Sequence, residues 1–362
     1  MTRSVLIVDD SATARLVLRR IIDEHSGGAL EVVAEAADRA TALAALARHR
    51  PDMVAMDVHL GGDHGVEVTR EMMRLAPLPI ALVTGVNPGD AQLAFEAMQA
   101  GALEVLPKPP GGPGAEAEQL RRRLARALVA LSEVPVVGHR FTDLGRPAST
   151  VPPRKGAPIE SRAPAAILLG ASTGGPPVLR QILQQLPAPC PLPVVIVQHI
   201  GADFVASFAH WLGSVSGHDV RLCTSRQPLT AGLVFVAPAS GHLRFDGGAA
   251  LQVVSAPPRR HYMPSIDELF ESVPPGLGAA VIAGLLTGMG DDGVAGLGRL
   301  RQLGASTFAQ DPESCAVDSM PGRAIAARAA RRVLAPGAMG EFLKLQFARG
   351  LQGVDDRKGE SP

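Results

Sequence analysis

Five residues in the first third of the chain each close a short apolar run. Asp9 and Asp10 follow "SVLIV", Asp57 follows "DMVAM", Thr84 follows "PIALV" and Lys108 follows "ALEVLP". If those runs are neighbouring strands, three carboxylates face one another across one crevice. Hard oxygen ligands gathered this way repel unless a cation joins them, and Mg²⁺ suits them. A hydroxyl and an ammonium beside them suit a phosphoryl group. Any one of the five alone reads equally well as a strand-end cap or loop residue; the signal is all five at one edge. A second set lies in the other half of the chain. Ser172 stands between glycines in "AILLGASTGG", a loose G-x-S-x-G with a strand before it and a helix after. A serine hydroxyl needs a base to become a nucleophile. Of the ten histidines, His199 closes the next strongly apolar run, "PVVIVQ". Asp291 and Asp292 in "LLTGMGDDG" follow another buried run, "AAVIAG". Serine, imidazole and carboxylate from three strand ends form a set for acyl transfer, and triads are defined by geometry rather than chain order. The bland readings are a turn serine, a histidine bonded to backbone, and an aspartate N-cap for "GVAGLGRL". One aspartate can cap while the other points inward.

These side chains meet only if the elements carrying them share a sheet. Residues 1–132 alternate five short apolar runs with amphipathic stretches, which predicts five βα units around a parallel sheet. Residues 133–163 are rich in Pro, Gly, Ser and Arg without periodicity and read as a linker. From 164 to 345 the alternation resumes as a doubly wound α/β domain. "GLVFVAPASGHLRFDGGAALQVVS" inside it reads as antiparallel hairpin strands. "SIDELF" opens a helix with a capping box, Ser265 with Glu268. Residues 346–362 end in a polar stretch and read as a flexible tail. A right-handed crossover brings the ends of consecutive strands to the same sheet edge, which places Ser172 beside His199.

The bulk numbers narrow the class. A chain of 362 residues with 46% hydrophobic content suits two globular domains. Lys+Arg and Asp+Glu balance at 35 each, so no global field favours nucleic acid or an anionic membrane. Three widely spaced cysteines give neither a disulfide framework nor a zinc pattern, and with no signal-like leader or spanning run the expected location is cytoplasmic. The "GASTGG" loop lacks a P-loop lysine and dinucleotide spacing, which argues against nucleotide binding. The second half shows no basic recognition helix.

Two resemblances follow from the motifs. "VLIVDDSATAR", "MDVH" and the "KP" after the fifth run resemble a two-component receiver domain over essentially residues 3–130. That resemblance implies that Asp57 accepts phosphate from a histidine kinase. It implies Mg²⁺ bound by Asp10, Asp57 and the His59 carbonyl with help from Asp9, and phosphate reading by Thr84 and Lys108. The "HLGGDHG" loop departs from the family's Met-Pro and Asp-Gly, and Val105 stands where an aromatic switch residue is usual. "GASTGGPPVL", "VVIVQHI", "PSIDELF", "LLTGMGDDGVAGL" and "AQDPESCAVDSMPGRAI" are similar to the catalytic domain of the chemotaxis protein-glutamate methylesterases. Receiver, linker and esterase in that order match as well. The resemblance implies a triad of Ser172, His199 and Asp292. Asp291 stands where the family has Asn, and Met263 where it often has Arg. Thr173 is the backbone oxyanion donor suggested by the helix start, and the resemblance adds the Met289 backbone. It implies hydrolysis of glutamate methyl esters on chemoreceptors to glutamate and methanol, deamidation of receptor glutamines, activation by phosphorylation, and no cofactor at the esterase site. The balanced charge and the lack of a long uncharged run lead to the expectation of no nucleic-acid partner and no membrane insertion. The alternative is a receiver-gated adaptor that binds receptors without catalysis.

Overall fold

Local signals set the helix starts of the first half. Ser11 accepts from the Ala14 N–H, Asp38 and Thr41 form a capping box, and Asn87 caps a helix that begins with Pro88. The computed structural model describes residues 2–110, 112–136, 165–259 and 261–358. The chain divides into two compact units, Met1–Thr142 and Asp143–Pro362.

In the first unit, strands β1 (Arg3–Val8), β2 (Leu30–Ala36) and β3 (Met53–Met56) precede a two-residue pair, β4 (His59–Leu60) and β5 (Asp63–His64). Strands β6 (Ile80–Thr84) and β7 (Glu104–Pro107) follow. Helices α1 (Ala12–His25), α2 (Arg39–His49), α3 (Gly65–Leu75), α4 (Pro88–Gln99) and α5 (Ala115–Ser132) alternate with them. The parallel sheet runs β2-β1-β3-β6-β7. Val8 pairs with Met56, and Thr84 with Pro107. That register brings Asp9 beside Asp57, and Lys108 one residue past the partner of Thr84. The five predicted units are therefore all present. Val105 lies in β7 and is buried.

The second unit begins with β8 (Ala166–Ala171), α6 (Gly175–Gln185), β9 (Val194–Gln198), α7 (Val205–Ser216) and β10 (Asp219–Leu222). Strands β11 (Gln227–Pro228), β12 (Leu233–Val236), β13 (His242–Phe245) and β14 (Ala250–Val254) lead to helices α8 (Ile266–Glu271) and α9 (Pro275–Gly278). The chain ends through β15 (Val281–Leu285), α10 (Val294–Gln302), β16 (Ser306–Gln310), α11 (Ser319–Ala326), β17 (Arg332–Leu334) and α12 (Pro336–Lys358). A seven-stranded sheet runs β10-β12-β9-β8-β15-β16-β17, all parallel. Winding leaves β8 leftward first and later resumes rightward from β15. The crevice of such a sheet opens where the two directions part, beyond the carboxyl ends of the strands. Leu168, Val195, Val197 and Leu285 point to one face and bury against Ile266 and Phe270 of α8 and Leu297 of α10. Each fully buried side chain of this kind contributes about 1.5–3 kcal/mol.

One expectation changes here. Leu233–Val236 does not form a hairpin but lies parallel between β10 and β9. Its run "LVFV" is apolar on both faces, which suits an interior strand covered on both sides. Only β11, β13 and β14 make the antiparallel sheet. The last helix, α12, continues past residue 346 as far as Lys358. The expected linker lies outside the described residues beyond Val136.

Candidate active site

β8 and β9 pair to their last residues, Ala171 with Gln198, and the His199 N–H donates to the Ala171 carbonyl at 2.9 Å. Ser172 and His199 are thus the next residues along two locked neighbouring strands. The Gln198 amide fastens both, donating to the Ser172 and His199 carbonyls at 2.8 Å each. On the other side of β8, Gly170 pairs with Leu285, and the Ser172 N–H donates to the Thr287 carbonyl at 3.0 Å. Thr287 in turn donates its hydroxyl to the Thr173 and Val317 carbonyls. The serine loop is therefore clamped between the loops after β9 and β15. Gly174, at φ +75°, turns the chain from this loop into α6. Ser172 is 8% exposed.

His199 Nε2 lies 2.9 Å from Asp292 Oδ2. Asp292 is buried and sits at the start of α8, where it accepts from Ser265 Oγ (2.7 Å), the Ile266 N–H (2.6 Å) and the Asp267 N–H (3.1 Å). A helix N-terminus offers N–H groups that favour an anion. Burial alone would push the Asp292 carboxyl up. The His199 bond and charge, followed by Ser265 and Ile266, outweigh it and hold the group below the ordinary carboxylate range. An ionised carboxylate only accepts, so Nε2 carries the imidazole hydrogen and Nδ1 holds the lone pair. Nδ1 is buried and has no hydrogen-bond partner. Among the described residues no hydrogen bond joins it to Ser172; in free enzymes such bonds are commonly long and tighten when substrate binds.

Asp291 and Asp292 have separated as their sequence context allowed, with the Asp292 carboxylate bonded to His199 and the start of α8. Gly293 occupies the N-cap position of α10 without a side-chain bond. Asp291 is half-exposed and faces Arg323 at 3.8 Å. Thr173 is buried, and its carbonyl is held by Thr287. Met289 lies between Gly288, whose N–H donates to Val317, and Gly290, whose N–H donates to Ser319 Oγ.

Sequence reading named Ser265 as the cap of α8 but missed its bond to Asp292, and it missed two further supports. Ser265 caps α8, yet the capping box is only half formed. Its N–H donates to His242 Nδ1, and Glu268 pairs with Arg259 instead. His242 donates from Nε2 to the Pro257 carbonyl, so it is a buried strut. Tyr262 stacks on His199 with ring centroids 4.8 Å apart and planes 13° off parallel. The serine before a helix was the only signal for the first; nothing marked the others.

In the first unit, carboxylate oxygens of Asp9, Asp10 and Asp57 all lie within 4.8 Å of one another. Lys108 Nζ bridges Asp57 (2.6 Å) and Asp9 (2.7 Å). Burial pushes the Asp9 carboxyl up despite Lys108. Burial would lower Lys108, yet the two carboxylates hold it above its usual value. Thr84 Oγ1 is buried without a hydrogen-bond partner. The His59 side chain reaches away to Asp90 at 2.9 Å. No helix among the described residues is long and apolar enough to cross a membrane.

Comparison with known proteins agrees with both halves. The family profile described as CheB methylesterase matches residues 167–343, and that of the response regulator receiver domain matches residues 5–114. A protein-glutamate methylesterase/protein-glutamine glutaminase of Hahella chejuensis is 38% identical over 344 residues, 94% of this chain and 97% of its own length. One from Anaeromyxobacter dehalogenans is 39% identical over 348 residues, covering 95% and 99%. Among solved structures, the CheB methylesterase catalytic domain of Thermotoga maritima is 31% identical and covers 50% of this chain and 97% of its own, with a TM-score of 0.48. With relatives this similar along nearly their full length, the chain belongs to the protein-glutamate methylesterase/protein-glutamine glutaminase family, with an N-terminal response regulator receiver domain.

Proposed function

We propose that this chain is a phosphorylation-regulated serine esterase that hydrolyses glutamate γ-methyl esters on chemoreceptors and deamidates receptor glutamines. The observation that supports the reading is that Ser172 and His199 follow the paired ends of neighbouring strands, with His199 bonded to a buried, ionised Asp292 at 2.9 Å. Nδ1 is the imidazole atom left to take the Ser172 proton. Ser172 Oγ attacks the ester carbonyl carbon, and the carbonyl oxygen becomes an oxyanion, for which the Thr173 and Met289 N–H groups are the candidate donors. The imidazolium is stabilised by Asp292. Collapse breaks the bond to the methoxy oxygen, which leaves as methanol with the proton from His199. Water then frees the glutamate by the same route. With a glutamine the leaving group is ammonia. No step at this site calls on a cofactor.

In the receiver, Asp57 is the proposed phosphoacceptor and a histidine kinase the donor. The clustered carboxylates of Asp9, Asp10 and Asp57 suit Mg²⁺, with the His59 carbonyl as a further ligand. Bound there, the ion would neutralise charge on the phosphoryl oxygens. Lys108 and the unpartnered Thr84 hydroxyl are placed at the same strand edge to hold that group. A preference of a few kcal/mol for the active arrangement is enough for regulation. Such an enzyme works in the cytoplasm, where its kinase and the receptor tails are found.

The test is methanol release from a methylated receptor fragment, with and without a small-molecule phosphodonor and Mg²⁺. Ser172→Ala should abolish release, and Asp57→Ala should abolish only the acceleration. Binding of the fragment without any release by the unaltered chain would favour the adaptor reading.

A further inference from the structure

The His199 imidazole is tied at one edge. Among the described residues its only hydrogen bond runs from Nε2 to Asp292, and Nδ1 is unpartnered. A ring held by one bond can still rock about it. A second constraint is Tyr262, whose ring lies nearly parallel on the imidazole face.

The chain builds that contact deliberately. Arg259 and Tyr262 exchange backbone hydrogen bonds across a tight turn, with His261 at φ +81°. Arg259 pins the turn to α8 through Glu271 at 2.6 and 2.9 Å and Glu268 at 3.3 Å. Beyond the turn, Ser265, Ile266 and Asp267 hold Asp292. One short segment therefore supports both the carboxylate and the face of the imidazole. At its far end, the Tyr262 hydroxyl accepts from the Asp291 N–H and fills the space that a Cβ on residue 290 would need. Gly290, at φ +95°, meets both demands. Tyr262 thus spans from the base to the loop carrying Met289.

We propose that Tyr262 is a positioning residue for this reaction. Its ring holds the His199 imidazole in one orientation about the Asp292 bond, and its π face stabilises the imidazolium formed when the serine proton is taken. This rests on the esterase reading above. An aromatic face attracts a cation, and the cost of a misplaced base is large. The charged groups that act on the phenol are Asp291, Asp292 and Arg323, and Asp292 also holds the imidazole edge; none changes in the variants below.

The experiment uses the full chain and a helical peptide bearing glutamate γ-methyl esters. Tyr262→Leu should lower kcat about 10–100-fold with KM nearly unchanged. It should also move the acid limb of the kcat/KM profile down by about half a pH unit, because the imidazolium loses its π partner. Titration of the His199 ring by NMR should move by the same amount, and this readout needs no turnover. Tyr262→Phe, which keeps the ring, should restore most of both. Tyr262→Trp serves if the leucine variant does not fold, and should leave the limb at or above its original position. Wild-type kcat in Tyr262→Leu overturns the proposal. So does a fall in kcat with neither titration moved, since that is what a merely structural role gives. If the unaltered chain releases no methanol, the esterase reading fails, while the NMR titration still decides whether Tyr262 supports the imidazolium.

Discussion

Replacing Asp292 by asparagine removes one charge and leaves the shape. The carboxylate accepts four hydrogen bonds, from His199 and Ile266 on Oδ2 and from Ser265 and Asp267 on Oδ1. An amide has one accepting oxygen and one donating NH₂. If the NH₂ takes the Oδ2 side, it faces the Ile266 N–H, and His199 can stay bonded only by becoming an acceptor at Nε2. The proton then moves to Nδ1, the very atom that must receive one. If the NH₂ takes the Oδ1 side, the Asp267 N–H loses its partner while Nε2 keeps its bond, but the charge that stabilised the imidazolium is gone. Either way one buried backbone N–H is orphaned, which costs about 1–3 kcal/mol of stability. In other Ser-His-Asp enzymes the tautomer error alone lowers kcat about 10⁴-fold, and a similar loss is expected here. Initial rates of methanol release and a urea midpoint, taken on the same preparation, separate the two effects. An Asp292→Asn chain that keeps more than about a tenth of its activity would refute the idea that this carboxylate orients the base.

Other consequences can be measured on stability and regulation. Asp267 is buried beside Asp292, and burial pushes its carboxyl up to about 6 despite the Gly296 N–H and Arg259. A folded value above the unfolded one means that ionisation opposes folding above pH 6 and that this penalty fades as pH falls toward 4. The penalty at neutral pH is of order 3 kcal/mol before relaxation. Asp267→Asn should therefore be more stable than the parent by about 1–2 kcal/mol at pH 8 and no more stable at pH 4; equal gains at both would contradict the assignment. Gly288→Ala would set a methyl 2.6 Å from Ser172 Cβ and against Met320 Sδ. It should cost about 1–3 kcal/mol and most of the activity, whereas Gly322→Ala, inside α11 with nothing within 4 Å, should leave the rate unchanged and raise the denaturant midpoint slightly, by up to about 1 kcal/mol. Thr84→Val removes a buried hydroxyl without a partner. Thermal melting should show equal or slightly higher stability, by up to about 1 kcal/mol. Phosphodonor-driven acceleration should be lost; full acceleration would exclude Thr84 from phosphate holding.

The residues at strand ends were readable because position along a strand fixes position in the sheet. Once "SVLIVDD" and "DMVAMD" are parallel neighbours, Asp9 and Asp57 must meet, and the same holds for Ser172 and His199. The direction of Leu233–Val236 was not readable, because four apolar residues suit a hairpin edge or a covered interior equally. Tyr262 and His242 were hidden for a different reason. Their roles depend on an irregular segment pinned by Arg259 to α8, and no periodicity links residue 259 to 271 or 242 to 265. His218, in the turn between α7 and β10, is buried with Nε2 on the Leu183 carbonyl. A histidine in a turn carries no mark of whether a helix will cover it.

The pairing of β8 with β15 also governs how the second unit is made. Ala166–Ala171 leaves the ribosome roughly a hundred residues before Val281–Leu285, the partner on its right. At about 5–20 residues per second, that strand waits on the order of ten seconds with one edge unsatisfied. Pairs this distant in sequence close late, after the nearer contacts have formed. The leftward half of the sheet can assemble meanwhile, but it lacks Asp292, the proposed orienter of the base. Recovery of methanol release during refolding should therefore trail the recovery of helical signal.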